Sequence, residues 1–168
     1  TMPRNKKGDV VTAITLLVRQ LEEKKLTAEQ EDRALRMLIH LVGDLHCPKH
    51  IRYADEPTSG GYNVKFRGKD VKYHAYWDGL LLQTYHPWGY LDLAKLVDRY
   101  SKREREEIAK GDIFTWGEEN ARNSRFTVER REGFVITRAI SNEDVKYAEE
   151  QIVRGGYRLA ALLNDLFE

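Results

Sequence analysis

Five side chains that could bind a metal ion or transfer a proton lie within the eleven residues HLVGDLHCPKH, at positions 40–50. They are His40, Asp44, His46, Cys47 and His50. His40 and Asp44 are four positions apart, so on a helix their side chains would lie one turn apart on the same face. Imidazole nitrogens and carboxylate oxygens are the ligands of zinc ions that activate water. The segment is therefore either a metal site or a polar helix end that is rich in histidine.

A second histidine–aspartate pair with the same spacing occurs in KYHAYWDGL, where His74 precedes Asp78 by four positions. His50 follows Pro48, and a loop at that point can turn the imidazole back toward either pair. A single pair of this kind is typical of a hydrogen-bonded surface pair. With two pairs and an additional histidine, the sequence favours a metal site and hydrogen-bonded surface pairs equally.

The remaining candidates have simpler explanations. We expect His46 and His86 to have structural or solvated roles, because both fall outside the repeated spacing. Cys47 is a possible zinc ligand by type, but a single cysteine is more often a small buried apolar residue, so it is left out of the predicted site. Aromatic side chains usually contribute packing area, which favours the core for Trp77, Trp88 and Trp116.

The elements that must position these residues are predicted to be helices. Apolar residues recur at helical spacing from Val10 to Leu21, and Thr27 with Gln30 forms a capping-box pattern before a helix that Pro48 should end. Ser141 with Asp144 resembles a second capping box, at the start of the last helix. Other segments are predicted as a surface loop between Ile51 and Gly61, an extended segment over 63–68, helices over 71–85 and 91–110, and a helix around Trp116.

These patterns predict an all-α fold, a single-domain helical bundle over residues 1–168 with a short extended hairpin or loop near 51–70. The chain has 168 residues, of which 41% are apolar, enough for one core. A net charge of +1 gives no basic field of the kind that drives non-specific nucleic-acid binding. No apolar run is long enough to cross a bilayer, so we expect no membrane partner.

The motifs IHLVGDLHCPKH and YHAYWD resemble those of the S1/P1 zinc-dependent nucleases. The resemblance continues through GGYNVKFRG and EEQIVRGGYRLAALLN, and so covers nearly the whole chain. It implies an all-helical fold and a cluster of three zinc ions. It also implies hydrolysis of phosphodiester bonds in single-stranded DNA and RNA, and of 3′-nucleotides, by a metal-activated hydroxide.

The resemblance also implies roles for individual residues. His40 and Asp44 would hold one zinc ion, with Asp44 bridging to a second zinc in the centre that performs catalysis. The third zinc ion would be held by His50, His74 and Asp78. Nucleobases would bind by stacking on aromatic rings, with Tyr53 or Tyr62 as candidates.

The sequence departs from the family pattern at its beginning. The family's N-terminal tryptophan and three further zinc ligands have no counterpart here, so we expect an N-terminally incomplete chain in which only the single-zinc site is complete. Alone it should be weakly active or inactive unless the missing N-terminal fragment stays bound. Cys47 and Lys49 also stand where the family usually has Gln and Leu. We expect a secreted or periplasmic protein. Two alternatives to the nuclease function remain: a zinc phosphoesterase of the phospholipase C type, and an inactive helical module with vestigial ligands.

Overall fold

A computed structural model describes residues 8–51 and 61–168 of the chain. These residues form two compact units, each with its own apolar core. Most of the predicted loop between Ile51 and Gly61, including Tyr53, lies outside the described residues. The first unit contains the described part of Thr1–His46 together with Tyr100–Asn120 and Arg154–Glu168, and the second contains the described part of Cys47–Arg99 together with Ala121–Val153.

Helices make up most of the described chain, and a short hairpin accompanies them, which confirms the predicted fold class. The strands are β1 (Asn63–Phe66), β2 (Lys69–Lys72) and β3 (Val135–Ile136). The helices are α1 (Val10–Glu22), α2 (Ala28–His46), α3 (Tyr73–Ala75), α4 (Leu81–Tyr85), α5 (Tyr90–Val97), α6 (Lys102–Ala109), α7 (Ile113–Asn123) and α8 (Arg138–Phe167).

In the first unit, α2 begins and ends where the sequence predicts. The Thr27 amide donates to Gln30 Oε1 at 2.9 Å and the Gln30 amide donates to Thr27 Oγ1 at 3.3 Å, so the capping box is formed. The helix ends at His46, two residues before Pro48. Its apolar stripe joins α1 and parts of α7 and α8 in a core of Ile14, Leu21, Ala34, Leu38, Val42, Leu45, Trp116 and Leu166.

In the second unit, the β1–β2 hairpin of a three-stranded sheet immediately precedes the segment that carries His74 and Asp78. Strand β1 pairs antiparallel with β2 and parallel with β3, in the order β2-β1-β3. Arg67 and Gly68 connect β1 to β2 with positive φ angles of 51° and 78°, the backbone of a tight two-residue hairpin turn. The core contains Tyr62, Val64, Phe66, Tyr73, Tyr76, Trp77, Leu81, Ile136, Val145 and Ala148.

The helix predicted over 71–85 begins later and is not regular. Val71 pairs with Val64 in the sheet, so the helical segment starts at Tyr73. Between α3 and α4 the chain forms a π-helical turn, Tyr76–Leu80, in which the Leu81 amide donates to the Tyr76 carbonyl. The wider turn adds one residue to the helical segment without interrupting it.

Two predicted helix boundaries are wrong. The helix expected over 91–110 is two helices, because Ser101 and Glu104 form a capping box that starts α6. Ser141 does not cap the last helix, which already begins at Arg138, where Thr137 Oγ1 accepts a hydrogen bond from the Ile140 amide at 3.2 Å.

Two of the three tryptophans lie in the core, as predicted. Trp77 and Trp116 are 4% and 3% exposed. Trp88 is 56% exposed, so its prediction as a core residue is wrong. It lies in the short connection before α5, where no apolar stripe directs it inward. None of the described helices is both long enough and apolar enough to cross a lipid bilayer.

Candidate metal centre

Each histidine–aspartate pair forms in the structure. On α2, His40 Nε2 lies 3.3 Å from Asp44 Oδ2, on a face directed to solvent. In the second unit, His74 Nε2 lies 3.2 Å from Asp78 Oδ2. The spacing of four positions therefore brings the side chains together in both units, while their role as metal ligands stays a prediction.

His50 joins the second pair. Its Nε2 atom lies 3.1 Å from Asp78 Oδ1, so each oxygen of this carboxylate faces one imidazole. The rings of His50 and His74 have centroids 4.9 Å apart. The three side chains are between 27% and 45% exposed, which leaves the cluster accessible to a solvent-borne ion or substrate.

A short 3₁₀ turn positions His50. The turn covers Pro48–His50, with proline at its first position, where the missing amide proton is not needed. Lys49 is 5% exposed, and its ammonium group lies 5.3 Å from the ring centres of both Tyr62 and Tyr73. This burial anchors the turn to the core of the second unit and limits where His50 can move. The Tyr62 ring is 7% exposed and packed here, so the structure does not support its prediction as a stacking platform.

The π turn positions Asp78. Tyr76 and Trp77 are buried on one side of this turn and Asp78 faces solvent on the other. The Tyr76 hydroxyl donates to Asp144 Oδ2 at 2.9 Å, and Arg130 donates to both oxygens of Asp144 at 2.6 and 2.7 Å. Burial, together with the neighbouring Asp144 carboxylate, raises the pKa of Tyr76, so this hydroxyl stays protonated as a donor. A buried polar network therefore holds the turn from inside.

The cluster offers the donor types that zinc takes, and two of its donor-to-donor distances are close to those of a zinc site. Zinc takes imidazole nitrogen and carboxylate oxygen at about 2.0–2.2 Å, so neighbouring atoms of a tetrahedral site lie about 3.3 Å apart. The distances from Asp78 to His50 and His74 are 3.1 and 3.2 Å. The two distances involve different oxygens of Asp78, and they are also hydrogen-bond distances. His74 is not among the described residues whose ligand atoms all lie within 4.8 Å of one another.

Cys47, which the sequence pattern leaves outside the predicted site, lies beside the cluster. Its Sγ atom is 3.9 Å from Asp78 Oδ1. Cys47, His50 and Asp78 each offer a ligand atom, and all three atoms lie within 4.8 Å of one another. The Cys-x-x-His spacing at 47–50 is the sequence signal that could have identified it.

His46 has a different environment from the other histidines. It is 3% exposed, its Nδ1 lies 2.8 Å from the Val42 carbonyl oxygen, and its Nε2 accepts from Arg158 Nη1 at 3.0 Å. Glu119 pairs with Arg158 and, at 2.5 Å, with Arg154. Burial lowers the pKa of His46 to about 4, so it is neutral near pH 7 and accepts the Arg158 hydrogen bond. This supports the predicted structural role.

His86 also has a local partner. Its Nε2 atom lies 2.6 Å from Glu149 Oε1, and both side chains are largely buried. The pair lies in the second unit and involves none of the predicted ligands. This is in line with the structural role predicted for His86.

The chain is therefore a mainly helical protein that carries two exposed histidine–aspartate clusters, one in each unit. Residues 2–168 match the S1/P1 Nuclease family, and the chain belongs to that family. This confirms the resemblance seen in the motifs.

Individual relatives agree with this assignment. The chain is 30% identical to "Nuclease P1" of Penicillium citrinum over 106 residues, which cover 61% of this chain and 34% of the relative. It is 25% identical to "Endonuclease 2" of Arabidopsis thaliana over 179 residues, covering 94% of this chain and 61% of the relative. It is 24% identical to "Endonuclease 1" of the same plant over 152 residues, covering 80% of this chain and 49% of the relative. The chain thus spans less than two thirds of the length of each.

Proposed function

We propose that the protein is a zinc-dependent hydrolase of phosphodiester bonds in single-stranded DNA and RNA, with 3′-nucleotides as further substrates. The observation that carries the proposal is the position of Asp78 between His50 and His74, with one carboxylate oxygen about 3 Å from each imidazole. Membership of the S1/P1 nuclease family supports the reaction type.

In this proposal the two histidine–aspartate groups have different roles. His50, His74 and Asp78 would hold one zinc ion, and His40 and Asp44 would contribute ligands to a second metal centre. Bound zinc would act as a Lewis acid toward phosphate oxygens and would lower the pKa of a bound water molecule. Asp44 is the candidate catalytic residue among the five.

The protein's own contribution is to hold these donors in place and leave them open to solvent. Each oxygen of Asp78 can accept a hydrogen bond from Nε2–H of one imidazole, which keeps both rings turned toward the carboxylate. Zinc binding through these nitrogens would release both protons. His40 is 67% exposed and Asp44 31%, so a phosphate group can approach this face. With no broad basic field, substrate affinity would come from local contacts with the phosphate and with the bases.

The family resemblance supports two further proposals. We infer a secreted or periplasmic protein, and a single-stranded nucleic acid as its main partner. The chain spans less than two thirds of the length of the curated relatives it matches, so the activity of the whole protein stands here as a proposal.

The test compares substrates and metals. Zinc-loaded protein is incubated with a single-stranded oligonucleotide, a 3′-nucleotide and phosphatidylcholine vesicles, before and after removal of metal with a chelator. We expect cleavage of the oligonucleotide that is lost with the chelator, restored by zinc, and at least about a hundredfold slower in the Asp44→Asn variant. The Asp70→Asn variant is the control, because Asp70 pairs with Lys65 in the exposed hairpin and should not affect the rate.

The other outcomes separate the alternatives. Hydrolysis of phosphatidylcholine with intact oligonucleotide would indicate a phosphoesterase of the phospholipase C type. Normal folding with no hydrolysis of any of the three substrates would indicate an inactive helical module. Either result would refute the proposed nuclease activity.

A further inference from the structure

The Cys47–His50 segment has a geometry that points two potential ligands in one direction. Cys47 precedes the 3₁₀ turn in an extended conformation, with φ −78° and ψ 122°, and its carbonyl accepts from the His50 amide at 3.2 Å. In a 3₁₀ turn, side chains three positions apart are eclipsed. The ligand atoms of Cys47 and His50 lie within 4.8 Å of each other, so the thiol and the imidazole are directed to the same side.

The thiol also approaches the third member of the cluster. Cys47 Sγ lies 3.9 Å from Asp78 Oδ1, the same oxygen that His50 Nε2 approaches to 3.1 Å. In a tetrahedral zinc site with Zn–S near 2.3 Å and Zn–O near 2.0 Å, sulfur and oxygen would lie about 3.5 Å apart. The observed separation exceeds that value by a few tenths of an ångström, which a small rotation of the cysteine side chain can close.

We propose that Cys47 is a ligand of the metal ion held by His50, His74 and Asp78, so that this site has a Cys-His-His-Asp donor set. The inference rests on the proposed zinc site of the previous section. On binding, the thiol proton is released to solvent and the sulfur coordinates as thiolate.

A fourth protein ligand changes what the site can do. A zinc ion with three protein ligands keeps a position open for water or substrate, whereas four protein ligands close a tetrahedral site. In this chain the ion at His50, His74 and Asp78 would hold the Pro48–His50 turn and the π turn together. Coordination positions open to water or substrate would then be found at the centre that contains His40 and Asp44.

The alternative role of Cys47 is packing, since its side chain is half-buried and contacts the apolar core of the second unit. Two substitutions distinguish the roles. Cys47→Ala keeps an apolar side chain, and Cys47→Ser keeps the size and removes the sulfur. If packing were the only role, both variants would bind zinc as the wild type does.

The experiment measures the metal's ligands directly. X-ray absorption spectra of the zinc-loaded protein should contain a sulfur scatterer at about 2.3 Å besides nitrogen and oxygen near 2.0 Å. The sulfur contribution should disappear in Cys47→Ser. Cobalt-loaded wild type should show a thiolate charge-transfer band in the near ultraviolet that both variants lack, and zinc affinity at this site should fall about tenfold to a hundredfold in each.

Alkylation gives a second readout that needs no variant. Cys47 is the only cysteine of the chain, so iodoacetamide reports on one thiol. We expect zinc to slow its alkylation by at least the same tenfold, and this result supports coordination together with the sulfur scatterer in the wild-type spectrum.

Two negative outcomes have different meanings. Zinc that binds and is weakened by His74→Ala, but shows no sulfur scatterer and no thiol protection, would overturn the role of Cys47 and leave the proposed zinc site intact. A wild-type protein that binds no zinc would overturn the zinc site and the role of Cys47 together.

Discussion

Adjacent glycines in α8 should respond in opposite ways to the same substitution. A Cβ atom added to Gly155 would lie 3.3 Å from Cγ and 3.4 Å from Nδ1 of the His46 ring. A Cβ atom added to Gly156 would meet no atom within 4 Å. Gly155 is buried and Gly156 is exposed, so the two Gly→Ala changes differ in surroundings and share the same helix.

The size of the difference follows from two opposing terms. Replacing glycine by alanine inside a helix stabilises it by about 0.8–1.0 kcal/mol, and this is the whole expected effect at Gly156. At Gly155 the His46 ring would have to move, yet it is held by the Val42 carbonyl at 2.8 Å and by Arg158 at 3.0 Å. Overpacking of this kind costs about 1–3 kcal/mol, so Gly155→Ala should be neutral to about 2 kcal/mol destabilising.

Urea unfolding followed by far-ultraviolet circular dichroism measures both variants against the wild type. The free energies of unfolding of the two variants should differ by about 1–3 kcal/mol, with Gly156→Ala the more stable. Repeating Gly155→Ala in a His46→Ala background removes the ring, and there the substitution should become stabilising. Equal stability of the two single variants would show that His46 is not tightly held and would refute the argument.

Three further predictions concern the site and its supports. Asp78→Asn should weaken zinc binding by at least about tenfold, because it removes the charged ligand between His50 and His74. Competition with a chromophoric chelator measures the zinc affinity, and an unchanged affinity would contradict the prediction. Because the pKa of buried His46 is lowered to about 4 from an ordinary value of 6.5, the unfolded chain binds the proton first as the pH falls. The His46 contribution to the free energy of unfolding should decrease by about 1.4 kcal/mol per pH unit between about pH 6.5 and 4. Urea titrations in metal-free buffer should give a shallower dependence of the unfolding free energy on pH for a His46→Gln variant. Equal dependence in the variant and the wild type would count against this. Lys49→Met should cost about 1–2 kcal/mol of unfolding free energy, since it removes the ammonium group 5.3 Å from two tyrosine rings, and a variant as stable as wild type would show that the contact contributes nothing.

Local sequence patterns predicted the parts of the site that depend on one helix. His40 and Asp44 are close because the α-helix places positions four apart on one face. His74 and Asp78 are also close, although the π turn begins between them. The start of α2 at its capping box and its end before Pro48 follow from backbone hydrogen bonding in the same local way.

Features that depend on distant segments could not be predicted in this way. Cys47 and Asp78 are 31 positions apart, and their approach depends on how the Pro48–His50 turn packs on the core. Ser141 and Asp144 have the sequence pattern of a cap, but Asp144 instead bonds Tyr76 and Arg130 from other parts of the second unit. Tertiary partners in this case outweigh a local pattern that contributes only about 1 kcal/mol.

The π turn at Tyr76–Leu80 has an evolutionary consequence. Such a turn corresponds to an α-helix that has gained one residue, and the register of the core continues across it. If Gly79 were deleted, Leu81 would follow Trp77 by three positions and still share its buried face. The widened backbone at Asp78 would be lost, and with it the approach to His50. The loss of a single codon would therefore remove this metal site from a lineage and keep the fold. A Gly79 deletion variant that failed to fold would contradict this interpretation.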